Sequence, residues 1–180
     1  MMTARLPIVC GLAMFVAALV IACSSPDTAG RVDPIGPSRE DFKLVAPMLV
    51  RRCGTIDCHG SSFRNFRLYG YGGQRLAPAD RPDFPPVIQP DELRYDYDAV
   101  IGLEPEIMRD VVQTNGAGFD RLTLVRKGRN EEGHKGGQPI KPDDPADTCL
   151  RTWLSNATNA AACARAGCVS AGGILGQCQP

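Results

Sequence analysis

The stretch Cys53-Gly54-Thr55-Ile56-Asp57-Cys58-His59-Gly60 decides how this 180-residue chain is read. Two cysteines with a histidine directly after the second is the arrangement by which c-type haem is attached. The thiols add to the two porphyrin vinyl groups, and the adjacent imidazole becomes the proximal ligand of the iron. Two residues usually separate the cysteines, whereas four stand between them here, so the peptide has to bulge between the two thioethers. On spacing alone, a small disulfide loop that happens to precede a histidine is an equal reading.

The N-terminal residues favour an exported, oxidising setting. Residues 1–22 carry one cation, Arg5, and an apolar run from Leu6 to Ala22, with no acidic residue. That pattern reads as a signal peptide rather than a membrane span. It ends in Val20-Ile21-Ala22-Cys23, which resembles the lipobox of bacterial lipoproteins, where cleavage precedes the cysteine and acyl chains are added to it. Two or more acyl chains hold a protein stably at a bilayer where one does not. Cys23 is therefore the expected lipidation site, and the membrane is reached through that anchor. Ser24 and Ser25 follow it, and the absence of Asp resembles outer-membrane rather than inner-membrane lipoproteins. Residues 24–39 are polar and rich in Pro, Gly and Ser; as a flexible tether they reach about 20–24 Å.

Charge and cysteine usage narrow the function classes. Basic and acidic side chains number 20 each, and loss of the leader removes only Arg5. A near-neutral chain has no general electrostatic reason to bind nucleic acid. Aromatics make up 6% of the sequence against 19 Gly and 15 Pro, so few large side chains are available for a core. A buried haem would supply apolar surface at about 25 cal/mol per Å² removed from water. Of the eight cysteines, Cys10 leaves with the leader, Cys23 takes lipid, and Cys53 and Cys58 form the haem pair. Cys149, Cys163, Cys168 and Cys178 remain, an even set that suggests two disulfides in any of three connectivities.

Helical patterning frames the motif. Phe42, Val45, Leu49 and Cys53 recur at helical spacing, with Ser38 and Asp41 resembling a capping box. Pro47 either kinks this helix or opens a second one. Helices are expected over residues 91–103 and from Pro105 to Gln113. Asp144-Pro145-Ala146-Asp147 is a helix start, after which Leu150, Trp153, Leu154 and Ala157 share a face. A Pro-rich loop spans residues 77–90, and a Gly-rich loop contains His134. The resulting organisation is a signal peptide (1–22), an anchor and tether (23–39), a helical domain (40–157) and a Cys-containing tail (158–180). The tail is expected to depend on its disulfides for order, and the Asn156-Ala157-Thr158 sequon reads as chance.

The segment Arg52-Cys53 to His59-Gly60 resembles the four-spaced Cys-x4-Cys-His-Gly motif of cytochrome-c-like domains in planctomycete and myxobacterial envelope lipoproteins. A phrase like Phe66-Arg67-Leu68-Tyr69-Gly70 follows in that family. A Leu-rich segment (here Leu122 to Lys127), a His-x-Gly-Gly loop (His134 to Gly137) and a helix bearing Trp (Trp153) come later. The resemblance covers residues 42–156, apart from the Pro-rich middle at 77–118. It implies a mainly α, cytochrome-c-like domain with long Pro- and Gly-rich loops and a disulfide-rich C-terminal tail. It also implies one covalent haem c on Cys53 and Cys58, with His59 as proximal ligand and His134 as candidate distal ligand.

The other side chains give the iron few further options. His134 is the only spare imidazole, and Met108 is its rival, since Met/His ligation is common in cytochromes c; an open site is the third alternative. Arg67 and Arg75 are candidates to pair with haem propionates through bidentate bonds, whereas Arg64 reads as a solvated cation. Asp57 is expected to brace the bulge through a turn hydrogen bond. With two histidines in all and no Ser-His-Asp set or phosphate loop, general acid–base catalysis is poorly supplied. The expectation is an electron carrier rather than an enzyme, lipid-anchored at the cell envelope and exchanging electrons with an unidentified redox protein. The alternative is a haem-free structural or binding lipoprotein in which Cys53 and Cys58 form a disulfide.

Overall fold

Phe42, Val45 and Leu49 lie on one stripe of the first helix, α1 (Phe42–Arg52), and all three are buried. The computed structural model describes residues 34–77 and 87–167. The leader, Cys23 and its lipobox, Cys168 and Cys178 lie outside the described residues. Pro47 sits within α1, which runs on as one helix despite lacking the N–H that would bond Lys43. Only half of the expected capping box forms. Ser38 Oγ accepts from the Asp41 N–H at 3.1 Å, but the Asp41 carboxylate instead accepts from Thr158 Oγ1 at 2.9 Å.

Proline opens three of the later helices, where its missing N–H costs nothing and its fixed φ suits the first turn. These are α2 (Pro90–Ile101), α3 (Pro105–Gln113) and, after a short α4 (Thr123–Gly128), α5 (Pro145–Leu154). Asp144 caps α5 by accepting from the Asp147 N–H at 2.8 Å. The helix stops at Leu154, because Ser155 Oγ donates to Arg151 O and Asn156 turns left-handed at φ 54°. Ala157, expected on the buried face of α5, is consequently past its end and exposed. The described residues are mainly helical, with six α-helices and no strand among them. None of these helices is long and apolar enough to cross a membrane.

The core gathers on α1, which packs against α2, α5 and the last helix, α6 (Ala160–Gly167). Phe42 meets Tyr97 edge-on at 5.5 Å between centroids and the single tryptophan, Trp153, at 5.3 Å. The polar ends of the latter two are satisfied by the segment entering α1. Tyr97 Oη donates to Pro37 O at 2.8 Å and Trp153 Nε1 to Ser38 O at 2.9 Å. These bonds fasten residues 37–38 to the helical body.

Residues 160–167 form a helix. Helix α6 buries Ala162 and Ala166, and a disulfide joins Cys163 to Cys149 on α5. A crosslink closing a loop of this size removes about 3 kcal/mol of chain entropy from the unfolded state. The Cys149→Ala/Cys163→Ala double variant should lose about 2–4 kcal/mol of stability, measured by urea unfolding under non-reducing conditions. An unchanged midpoint would show that α6 is held by packing alone.

Candidate functional site

The last turn of α1 delivers the motif. The Cys53 N–H still bonds to Leu49 O at 2.8 Å, and the chain then folds back so that the His59 N–H reaches Cys53 O at 2.9 Å. The four intervening residues form a closed turn, with the N–H groups of both Cys58 and Gly60 donating to Thr55 O at 2.9 Å. The loop lies against the turn at residues 70–74, where three glycines meet. A Cβ on Gly60 would stand 2.8 Å from Gly73 Cα, and one on Gly73 would stand 2.6 Å from Gly60 Cα. Only hydrogens fit at that crossing. Asp57 braces the bulge through its backbone: Arg64 donates to the carbonyls of Asp57 and Cys58, each at 3.2 Å.

Both motif cysteines are free thiols, Cys53 buried and Cys58 half-buried. Burial pushes the Cys53 thiol up to about 12, helped by Cys58 and opposed by Arg52. Burial thus favours the protonated thiol at Cys53 over the thiolate.

A cavity of about 510 Å³ opens beside the motif, with a mostly apolar wall. Cys53, Cys58, His59 and Phe66 line it, together with Leu124 and Gly128 of α4 and His134 from the Gly-rich loop. The two histidines of the chain, 75 positions apart in sequence, therefore share one cavity. Their ring centroids are 6.1 Å apart and their planes differ by 11°.

Each imidazole has its Nδ1 against a backbone carbonyl. His59 Nδ1 faces Phe66 O at 2.9 Å, and His134 Nδ1 faces Gly137 O at 3.4 Å. A carbonyl oxygen can only accept, so these contacts place the proton on Nδ1 and leave the Nε2 lone pair open. Metal-binding histidines are oriented in this way. Burial lowers the His59 pKa, with His134 and Arg64 adding to the effect and the Phe66 contact opposing it. The shift favours the neutral imidazole. Among the described residues, no group of three or more His, Cys, Asp or Glu side chains is arranged to hold a bare metal ion.

The remaining sequence candidates lie elsewhere. Arg75 is engaged with buried Glu92, Nε to Oε1 at 2.7 Å and Nη2 to Oε2 at 2.8 Å. Arg67 donates to Ser62 O at 2.6 Å and Tyr69 Oη at 3.1 Å. Neither lines the cavity. The cations that do are Arg64, Lys127 and Lys135. Met108 is 1% exposed on α3, packed into the core and away from the cavity wall. Of the sequence signals, the basic run Arg126-Lys127 at the end of α4 is the one that could have pointed to Lys127, through its helical spacing from Leu124.

Comparison of the chain with protein-family models, curated proteins and solved structures finds no match. The functional reading therefore rests on the residues and their arrangement.

Proposed function

We propose that this chain is a lipid-anchored, monohaem, c-type cytochrome-like protein that carries single electrons at the bacterial cell envelope, at the outer membrane. One observation carries the reading: two free thiols and two imidazoles with open Nε2 atoms share the wall of one apolar cavity. A metal-bound imidazole nitrogen stands about 2 Å from the ion, so two imidazoles on one metal have centroids roughly 6 Å apart. The observed separation of 6.1 Å agrees with that geometry. A bare ion needs no cavity of this volume, whereas a porphyrin does.

Haem, when bound, supplies a one-electron Fe(III)/Fe(II) couple. Cys53 and Cys58 would hold it covalently, and His59 and His134 would ligate its iron. Phe66 O and Gly137 O would fix the tautomer and orientation of each imidazole. The mostly apolar wall would limit solvent contact with the group and so bear on its potential. Arg64, Lys127 and Lys135 offer the cationic groups that propionates require, in place of Arg67 and Arg75. Anchoring through Cys23 rests on the lipobox pattern, and the redox partner is another envelope protein rather than nucleic acid.

Protein matured with the haem-attachment machinery should exceed the mass of its lipidated polypeptide by one haem that survives acid-acetone extraction. A mass lower by two hydrogens at Cys53 and Cys58 would favour the haem-free lipoprotein. His134→Ala should convert a low-spin spectrum to high spin with the thioethers intact. Met108→Leu should leave the spectrum unchanged, because Met108 lies in the core. The reverse pair of outcomes would make methionine the sixth ligand.

A further inference from the structure

We infer that Asn130 and Gly136 are positioning residues that set the His134 imidazole parallel to His59, making residues 130–137 a preformed ligand-presenting loop. The inference rests on the proposed bis-imidazole site. It goes further by naming what orients the second ring.

His134 contributes little to the core, and its orientation comes from its own loop. Asn130 adopts a left-handed conformation at φ 56°, which Asn tolerates far better than most residues. Its Oδ1 accepts from the His134 N–H at 3.0 Å, fixing the backbone at the ligand. On the other side, the Gly137 N–H donates to His134 O at 3.0 Å, while His134 Nδ1–H faces Gly137 O. The loop is tied to the end of α4 and the residue after it. Lys127 Nζ donates to Gly133 O at 3.2 Å, and just past the loop Gln138 Nε2 donates to Arg129 O at 3.0 Å.

Gly136 is the steric half of the device. A Cβ there would stand 2.8 Å from His134 Cε1 and 3.2 Å from Nδ1. The imidazole thus lies flush against the Gly136 backbone, a place that any larger residue would deny it. Gly136 is not among the positive-φ glycines, so alanine fits its backbone conformation and its cost falls on the imidazole. Gly133 is the natural control. Its φ is 48° with open space around a Cβ, so Gly133→Asn should leave the ring where it is.

The test uses the full, haem-matured chain and ferric electron paramagnetic resonance. Parallel imidazole planes give a low-spin signal with three resolved g-values, whereas crossed planes give one dominant low-field feature. Wild type and Gly133→Asn should give the first. Gly136→Ala should shift to the second or to high spin, with haem content and thermal unfolding unchanged. Asn130→Gly, which keeps the backbone conformation but loses the Oδ1 contact, should broaden the signal, and Asn130→Asp should restore it. A wild-type signal in Gly136→Ala would overturn the inference. Absence of haem from wild type would instead defeat the underlying functional reading. In that case imidazole ¹⁵N shifts of the haem-free protein decide the positioning claim. Nδ1–H at His134 in wild type, lost in Gly136→Ala, supports it; identical shifts in both overturn it.

Discussion

Glu92→Ala should destabilise the protein by about 3–5 kcal/mol, the cost of removing one partner of a buried ion pair. Glu92 is fully buried, and all four of its close contacts are donors. Arg75 approaches both carboxylate oxygens, at 2.7 and 2.8 Å. The Leu76 N–H reaches Oε1 at 3.2 Å, and the Gln89 N–H reaches Oε2 at 2.9 Å. Burial alone would raise the Glu92 pKa, but the Arg75 bond and the two backbone donors outweigh it and leave the carboxyl below its ordinary value. Alanine removes the carboxylate from a guanidinium that also donates to Val87 O at 3.0 Å. The same change loosens residues 74–76, where the Gln74 N–H donates to Gly60 O at 2.7 Å and backs the motif loop. Urea unfolding measures the loss. The Glu92→Met/Arg75→Met double variant should recover much of it, because apolar residues of similar volume often replace such a pair at little cost. A loss below about 1 kcal/mol in Glu92→Ala would place the pair in the class of solvent-screened ion pairs.

This pair also shows where sequence reading stops. Helix starts at Pro105 and Pro145 were legible because the proline and its neighbours carry the whole signal locally. The burial of Glu92 has no local sign. Its partner is 17 residues away, and a charged residue in the first turn of α2 reads as an ordinary solvated helix start. The arginines divide the same way: Arg67 and Arg75 share the composition of Arg64, and only the return of the chain at residues 60–74 decides which of them reaches the cavity. Ala157 continued the apolar period of α5, but Ser155 and Asn156 ended the helix first. The disulfide dependence expected after residue 157 is met by Cys149–Cys163, but the close packing of α6 on α1 had no sign in its Ala- and Gly-rich composition: a Cβ at Gly167 would stand 3.2 Å from Pro47 Cβ. His134 could be named from sequence as the spare imidazole in a Gly-rich loop of the resembled kind. Its alignment with His59 had no such sign, because it depends on how the loop around it folds.

The second large effect is a pH dependence that belongs to Asp96. This carboxyl is fully buried on α2; Oδ1 accepts from the Tyr69 N–H at 2.7 Å, and Oδ2 has no hydrogen-bond partner among the described residues. Burial raises its pKa to about 7 from an ordinary 3.8, the Tyr69 N–H opposing and nearby Glu92 reinforcing the shift. In the unfolded chain the group ionises near 3.8, so between pH 4 and pH 7 the folded state holds a proton that the unfolded state has released. Folding stability must therefore fall as pH rises through that window, and the contribution is flat below it and above it. A shift of this size corresponds to about 4 kcal/mol. Asp96→Asn cannot titrate. The difference in stability between wild type and Asp96→Asn should thus move by that amount against wild type between pH 4 and pH 8, whatever fixed cost the amide adds. Taking the difference cancels the titration of all groups that the substitution leaves unperturbed. The strap involved is the one behind His59, since Phe66 O holds His59 Nδ1, the Leu68 N–H donates to His59 O, and the next N–H, of Tyr69, holds Asp96. Urea titrations across the pH range measure the difference directly. A value that stays constant from pH 4 to pH 8 would mean that Asp96 is ionised in the folded protein throughout and that its buried carboxylate has found a donor for Oδ2.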